Sequence, residues 1–178
     1  MRLRAIAGAA LATAAGIAAA QPKSDWEKEE EERNWREAEV VLPAYPRAEN
    51  LLEFFVSSAS QFRFYIDRPS LSVGADGVVR YTLVVRSPAG AETVSYEGMR
   101  CRTGEVKVFA FGRPDRSWAG HAAPWRRIEM KSVQRWHNAL YGEYFCPSGA
   151  PILSAADGLD ALRAGEHRRL RQRGNLPY

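Results

Sequence analysis

Residues 70–101 read SLSVGADGVVRYTLVVRSPAGAETVSYEGMRC, and this stretch decides the fold. Every second residue from Val79 to Val85 is apolar, which places these side chains on one face of an extended strand. The dipeptide Asp76-Gly77 precedes this run, and Asp-Gly between two such runs is typical of a β-hairpin. Residues 87–90, SPAG, turn the chain again. The stretch therefore predicts successive antiparallel strands.

The same alternation continues on both sides of this stretch. Upstream, QFRFYID places Phe62, Phe64 and Ile66 on one face of a predicted half-buried strand. Downstream, the turn residues 103–105 lead into VKVFAFG, which is another predicted strand. Residues 112–124 contain Gly, Pro and Asp and are predicted to form a loop. Together these patterns predict an antiparallel β-meander.

The last third of the chain has helical patterns instead. Ser132 can cap a helix that ends before Pro147. The apolar residues of this helix share one face: Val133, Trp136, Leu140 and Tyr144. A second short helix is indicated by Ser154 as its cap, and Gly165 ends it. The predicted fold class is α+β, an antiparallel sheet meander with C-terminal helices packed on one face.

The first 20 residues have the features of a secretory signal peptide. Arg2 and Arg4 form a basic start, an Ala-rich run follows, and small residues at 18–20 precede a predicted cleavage site at Gln21. The run is shorter than the roughly 20 apolar residues that cross a bilayer. Cleavage would leave a soluble periplasmic or secreted protein with no stable membrane insertion.

Charge divides the rest of the chain into three regions. Residues 21–40 are acidic. Ser24 and Glu27 match a capping box, which favours a helix, but no apolar stripe recurs at helical spacing. This region is therefore predicted to form a flexible or marginally helical arm. Residues 41–164 form the predicted α+β domain, and residues 165–178 form a basic, flexible tail. Loss of the two leader arginines lowers the formal net charge from +4 to +2. Export makes a nucleic-acid partner unexpected.

Two cysteines, Cys101 and Cys146, are present in the chain. In an exported protein such a pair predicts a disulfide. A nucleophilic thiol is less favoured, because Cys146 lies at the C-terminal end of its predicted helix, where the helix dipole opposes a thiolate. A zinc site needs about four clustered ligands, and the three histidines show no such spacing. No metal and no cofactor is expected.

The favoured function is a non-enzymatic binding or envelope-associated module, because the chain has no GxSxG, HExxH or Gly-rich phosphate loop. Arginines and tryptophans alternate through residues 113–127. Guanidinium groups suit carboxylates and phosphates, so the expected partner is an anionic envelope polymer or another periplasmic protein. The candidate binding residues are Arg100, Arg102, Arg113, Arg116, Trp118, Arg126 and Arg127. In the alternative interpretation, Trp118 and Trp125 are core residues and the arginines are ordinary surface charges.

A second hypothesis is a cell-envelope hydrolase that uses a histidine and a carboxylate. The candidate histidines are His121 and His137, and the candidate carboxylates are Glu129 and Glu143. A concave pocket with a histidine hydrogen-bonded to a carboxylate would favour the enzyme, whereas a shallow surface of Arg and Trp would favour the binding module.

Three blocks of sequence occur in an order that resembles one family. They are residues 70–101 quoted above, WRRIE at residues 125–129 and HNALYGEYFCPSGAPI at residues 137–152. The chain resembles the CNP1-like family of uncharacterised exported bacterial proteins from about residue 41 to residue 164. The resemblance implies a single exported domain and supplies no catalytic residue.

Overall fold

The computed structural model describes residues 23–129 and 135–174 and divides the chain into two units. The predicted signal peptide, Ser132 and Val133 lie outside the described residues. In the first unit, helix α1 spans Asp25–Asn34 and buries none of its residues. Ser24 and Glu27 form the predicted capping box at its start. No helix among the described residues is long and apolar enough to cross a membrane.

The second unit begins at Arg36, and its described part contains a seven-stranded antiparallel sheet. The strands are β1 Leu51–Phe54, β2 Arg63–Val73, β3 Val78–Arg86, β4 Glu92–Arg100, β5 Glu105–Gly112, β6 Trp118–Gly120 and β7 Arg126–Arg127. Each strand from β1 to β5 pairs with the next one in sequence, and β7 also pairs with β5. This order is the predicted meander.

The helices follow the sheet. They are α2 Arg135–Ala139, which continues as a π-helical turn over Leu140–Phe145, then α3 Ala155–Ala164 and α4 Arg168–Gly174. Short 3-10 turns lie at Ala48–Asn50 and Pro147–Gly149. Ser154 caps α3 by accepting a hydrogen bond from the Asp157 amide, and Gly165 ends α3, as predicted. The fold class is α+β.

Two predicted turns require glycine. Gly77 lies between β2 and β3 with φ 75°, and Gly90 lies between β3 and β4 with φ 84°. Both values belong to the left-handed region that side chains disfavour. These turns fix the register of the two central hairpins, in which Val84 of β3 lies opposite Val94 of β4.

The inner face of the sheet packs against the helices, as predicted. The fully buried residues of this main core include Ile66, Val79, Tyr81, Leu83, Met99, Leu140, Tyr144 and Phe145. The predicted single α-helix is instead a short α-helix with a π-helical turn. Within that turn the Cys146 amide bonds to the Tyr141 carbonyl at 3.0 Å. The wider turn lets both Tyr144 and Phe145 enter the core.

The predicted disulfide joins Cys101 to Cys146, with 5.1 Å between their Cα atoms. Both residues are buried. Cys101 lies in the turn directly after β4, one residue beyond the strand on which it was predicted. The bond therefore links the end of β4 to the end of the π-helical turn and closes the main core.

The outer face of the sheet is also covered, which the sequence did not predict. Residues 36–46, called the strap below, run across this face. The Ala38 amide bonds to Asp76 Oδ2 at 2.9 Å, and the Trp118 indole donates to the Pro43 carbonyl at 2.9 Å. The predicted boundary at residue 40 thus falls inside a packed segment. The strap contains two prolines, which prevent regular strand pairing. Its sequence has no alternating pattern that would have predicted its position.

The predicted loop and tail contain further structure. Trp118–Gly120 of the predicted loop pairs with β5 as β6. The tail continues as α4 after His167, which was expected to lie in a flexible region. The His167 ring is fully buried, with Nε2 3.0 Å from Asp157 Oδ2, and its amide donates to the Glu143 carbonyl. A polar anchor, rather than an apolar face, holds this segment, so hydrophobic periodicity missed it.

Candidate functional site

The strongest candidate site is a groove of about 520 Å³ on the outer face, called the arginine groove. Its floor includes the outward-facing side chains of Val84 on β3 and Val94 on β4. Residues 45–48, the last two residues of the strap and the two that follow it, form one wall. The other wall lies where β5 turns toward β6 and is formed by Gly112, Arg113, Pro114 and Arg116.

Gly112 lets the two walls approach each other. A Cβ atom at this position would lie 2.7 Å from the Tyr45 hydroxyl and 2.8 Å from Cβ of Val94. Real Cβ atoms essentially never approach so closely. The glycine at the end of β5 therefore allows Tyr45 to lie against the sheet.

Arg116 has a strained backbone in this wall. Its φ is 63°, in the left-handed region, where residues other than glycine lose roughly 1–2 kcal/mol. The turn is closed by hydrogen bonds from Arg113 N to Ser117 O and from Arg116 N to Arg113 O. The Arg116 guanidinium donates to the Pro46 carbonyl at 3.2 Å. This contact offsets part of the backbone strain.

Tyr45 is enclosed between two side chains. Its ring centroid is 5.3 Å from that of Trp118, and the Arg116 guanidinium carbon lies 5.6 Å from the same ring. Burial raises the pKa of the Tyr45 hydroxyl above its usual value. Tyr45 is therefore a rigid, uncharged part of the wall that positions Arg116.

The groove has an excess of positive charge. Four arginines line it, Arg47, Arg86, Arg113 and Arg116, together with one carboxylate, Glu92. Arg86 pairs with Glu92 through a hydrogen bond of 2.8 Å. Arg47 and Arg113 are exposed, and neither forms an ion pair with a residue in the described part of the chain. The nearby Asp115 carboxylate, whose pKa is lowered by hydrogen bonds from Ser117 and by the charge of Arg113, offsets part of this positive charge.

The other predicted arginines do not join this groove. Arg100 is buried on the outer face at the opposite end of β4, where it bonds to Glu105 at 3.0 Å and lies over the Trp125 ring. Arg102 is exposed in the turn after β4, so strand alternation does not decide its direction. Arg126 and Arg127 are successive residues of β7, which places them on opposite faces. The six predicted arginines do not share a single face.

The two tryptophans pack within the outer layer. Trp118 contacts Tyr45 and Tyr96 and is half-buried. Trp125 packs edge-on against Phe109 and is half-buried as well. Their placement agrees with the interpretation of both as core residues. Sequence reasoning missed Tyr45 and Arg47, which only the path of the strap brings to the groove, and it also missed Arg86 at the end of β3.

A histidine and a carboxylate do meet, in the main core. His137 Nε2 lies 2.8 Å from Glu97 Oε2, and both residues are only 3% exposed. Ser95 and Tyr81 also donate hydrogen bonds to the Glu97 carboxylate. Burial alone would raise the pKa of Glu97, but the His137 charge and these hydrogen bonds outweigh it and lower the pKa below its usual value.

The carboxylates predicted for the hydrolase lie elsewhere. Among the described residues, neither His121 nor His137 hydrogen bonds to Glu129 or Glu143. His121 is exposed and packs edge-on against Phe111. Burial and the nearby Glu166 raise the pKa of Glu143. Glu97, the true partner of His137, was missed because strand pairing and helix packing, not sequence spacing, bring them together.

No group of three or more His, Cys, Asp or Glu side chains in the described residues is arranged to hold a metal ion. The described residues form an α+β domain whose sheet has an arginine-lined groove on its outer face. The model of the CNP1-like family matches residues 30–163, which is more than half of the chain. The chain belongs to the CNP1-like family. No curated protein and no solved structure matches it.

Proposed function

We propose that this protein is an exported, non-enzymatic binding domain that holds an anionic component of the cell envelope in the arginine groove. The observation that supports this most is the pair of exposed guanidinium groups, Arg47 and Arg113, which line the groove and form no direct ion pair with a residue in the described part of the chain. Asp115 offsets only part of the Arg113 charge. Exposed arginines with free hydrogen-bond donors bind carboxylates and phosphates through paired, charge-assisted bonds.

Export is supported by two separate features. The first 20 residues have the composition of a signal peptide. The Cys101–Cys146 disulfide suits an oxidising compartment such as the periplasm. An envelope polymer or another periplasmic protein would therefore be the accessible anionic partner.

The hydrolase alternative has weaker support. Its one favourable observation is the hydrogen bond between His137 and Glu97. Both side chains are 4% exposed, and Glu97 also accepts hydrogen bonds from Tyr81 and Ser95. A general base needs hydrogen-bond reach to its substrate. The pair is better suited to holding α2 on the sheet.

Binding of defined polyanions to the mature protein tests the proposal. The probes are fluorescent polyglutamate and fluorescent oligogalacturonate, which present carboxylates on a peptide and on a sugar backbone. At least one should bind, and its affinity should fall as salt rises, because exposed charges are screened. Arg113→Glu should weaken binding by about tenfold or more, since charge-assisted hydrogen bonds contribute roughly 1.5–3 kcal/mol.

Arg171→Glu is the matched control. Arg171 is exposed on α4 and lines no part of the groove, so this variant makes the same change in net charge at another place. Its affinity should equal that of the unmodified protein. If neither probe binds, or if the two variants weaken binding equally, the arginine groove is not an anion-binding site.

A further inference from the structure

We infer that the hairpin loop between β1 and β2 attaches this protein reversibly to the surface of an anionic lipid bilayer. This loop, residues 55–62, is called the phenylalanine loop below. It presents Phe55 and Phe62 to solvent and carries no charged residue. The contact is separate from the arginine groove, and export would bring the loop to an envelope membrane.

Two aromatic side chains of the phenylalanine loop face solvent. Phe55 is 62% exposed and Phe62 is 49% exposed. Phe54 and Phe64, which lie opposite each other on β1 and β2, are each 4% exposed and pack in the main core. The two exposed rings therefore lie just beyond the end of the main core.

Hydrogen bonds hold the backbone of the phenylalanine loop. The Tyr144 hydroxyl donates to the Phe55 carbonyl at 2.9 Å. The Ser60 amide donates to the Ser57 carbonyl at 3.1 Å, and the Phe62 amide donates to the Ser60 hydroxyl at 3.2 Å. Both exposed rings are thus attached to backbone that is fixed in place. A loop fixed in its exposed form loses little conformational entropy on binding.

A cleft lies on each side of the phenylalanine loop. One, of about 440 Å³, is completed by Arg135 and Trp136 of α2, and the other, of about 480 Å³, is completed by residues at the end of α3. Both clefts are also lined by Ser57, Ser60 and Phe62. The loop therefore stands between the clefts and projects from the end of the sheet. A projecting apolar loop can enter a bilayer interface, where aromatic side chains are favoured.

Arginines surround the base of the phenylalanine loop. Arg63 lines one cleft and forms an ion pair with Glu53. Arg163 lines the same cleft and forms an ion pair of 2.9 Å with Asp160. Arg135 lines the other cleft, is exposed and forms no ion pair with a residue in the described part of the chain. Exposed ion pairs contribute little to stability, so lipid phosphates can replace these carboxylates. The neutral loop and its cationic base match the apolar interior and the anionic headgroups of a bilayer.

A second copy of the chain fits this surface less well. A stable protein–protein interface buries about 800 Å² per partner. Full burial of two phenylalanine side chains supplies about 300–500 Å², at roughly 150–250 Å² each. Most residues between the two phenylalanines are serine, alanine or glutamine. This area is small for a stable dimer, whereas reversible attachment to a bilayer needs only a modest apolar contact with electrostatic support.

Vesicle flotation with the mature protein tests the inference. The vesicles contain phosphatidylcholine alone or phosphatidylcholine with phosphatidylglycerol. The protein should float with the anionic vesicles, and raised salt should weaken this binding without abolishing it, because the apolar contact is not screened. Phe55→Ser and Phe62→Ser should each weaken binding by about tenfold, since each removes an apolar ring from the interface. Arg135→Glu should weaken it by about fivefold or more.

Leu153→Ser and Arg171→Glu are the matched controls. Leu153 is 67% exposed, much like Phe55, but it lines neither cleft, and Arg171 is exposed on α4. Neither change should alter vesicle binding. A nitrobenzoxadiazole label on Ser58→Cys should brighten with anionic vesicles, because the loop enters an apolar phase. The same label on Leu153→Cys should not brighten.

The outcomes separate this contact from the arginine groove. Vesicle binding that is lost in Arg113→Glu but kept in both phenylalanine variants would assign the headgroups to the groove and overturn the role of the loop. Absence of binding to anionic vesicles would overturn the inference and leave polyanion binding, and thus the proposed function, unaffected. A dimer that Phe55→Ser dissociates in sedimentation would show instead that the loop joins two copies of the chain.

Discussion

His137 and Glu97 form a buried hydrogen bond of 2.8 Å between α2 and β4. Tyr81 lies opposite Glu97 on the neighbouring strand and donates a hydrogen bond to the same carboxylate oxygen at 3.1 Å. Because a buried charge is costly without partners, these contacts define where α2 packs on the sheet. The pair links the two layers of the fold through polar chemistry inside an otherwise apolar core.

Removing one member of this pair should destabilise the protein strongly. His137→Leu leaves the Glu97 carboxylate buried without its histidine partner, and breaking a buried pair in this way costs about 3–5 kcal/mol. Adding Glu97→Gln to His137→Leu should recover part of this loss, because glutamine carries no charge and its single amide oxygen can still accept a hydrogen bond from Tyr81 or Ser95. Urea unfolding measures both variants. A double variant that is less stable than His137→Leu would contradict this account of the pair.

The Glu97 carboxylate should make the stability of the protein depend on pH. The folded pKa of Glu97 lies below the ordinary value of 4.5, so its contribution is fully present above about pH 4.5 and is lost as the pH falls through the folded pKa. The melting temperature should therefore fall on acidification below about pH 4.5. Glu97→Gln should be less stable at pH 7 and should show a shallower decline in acid. Parallel pH profiles for the two proteins would rule out this contribution.

The disulfide should contribute about 4 kcal/mol to stability, because the loop between its cysteines spans 45 residues. Cys101→Ser, Cys146→Ser and the double variant should all lose a similar amount, since each loses the same bond. Thermal unfolding with and without reductant measures the effect. Free-thiol titration of the unreduced, denatured protein should find no thiol, and a result of two thiols would contradict the pairing.

The meander and the disulfide were predictable because their signals are local or compositional. Alternation from Val79 to Val85 specifies which side chains enter the core, and Asp76-Gly77 specifies where the chain reverses. The disulfide could be predicted from the number of cysteines and the expected compartment alone. These signals do not depend on which distant segments pack together.

The groove was predicted only in part, because its residues come from segments that no short-range pattern connects. Arg113 and Arg116 were predicted as binding residues because they lie in an arginine-rich stretch. Arg47 and Tyr45 reach them only because the strap crosses the outer face. Arg100 was expected at the same surface, yet it bonds to Glu105 at the other end of the sheet. The arginine-rich stretch could be identified from the sequence, but tertiary packing determines which arginines lie close together.

The strap should loosen when its indole anchor is removed. Trp118→Phe deletes the hydrogen bond to the Pro43 carbonyl and should cost about 1 kcal/mol. Hydrogen exchange should increase at strap amides such as that of Ala38. Trp26→Phe, at an exposed site on α1, is the matched control and should change neither property. Unchanged exchange in Trp118→Phe would mean that other contacts alone hold the strap.

The strained backbone of Arg116 gives the sharpest test of how the groove is built. Arg116→Ala and Arg116→Gly both remove the guanidinium that bonds to the Pro46 carbonyl, but only glycine relieves the φ of 63°. The glycine variant should therefore be more stable than the alanine variant by about 1 kcal/mol, the reverse of their usual order in regular structure.

Both Arg116 variants should bind the polyanion probes more weakly than the unmodified protein, because each lacks a guanidinium in the groove wall and leaves Tyr45 less fixed. Thermal unfolding and anisotropy on the same samples separate the two effects. An alanine variant at least as stable as the glycine variant would show that residue 116 does not need the left-handed conformation. In that case the backbone strain would not be part of how the groove wall holds its arginines.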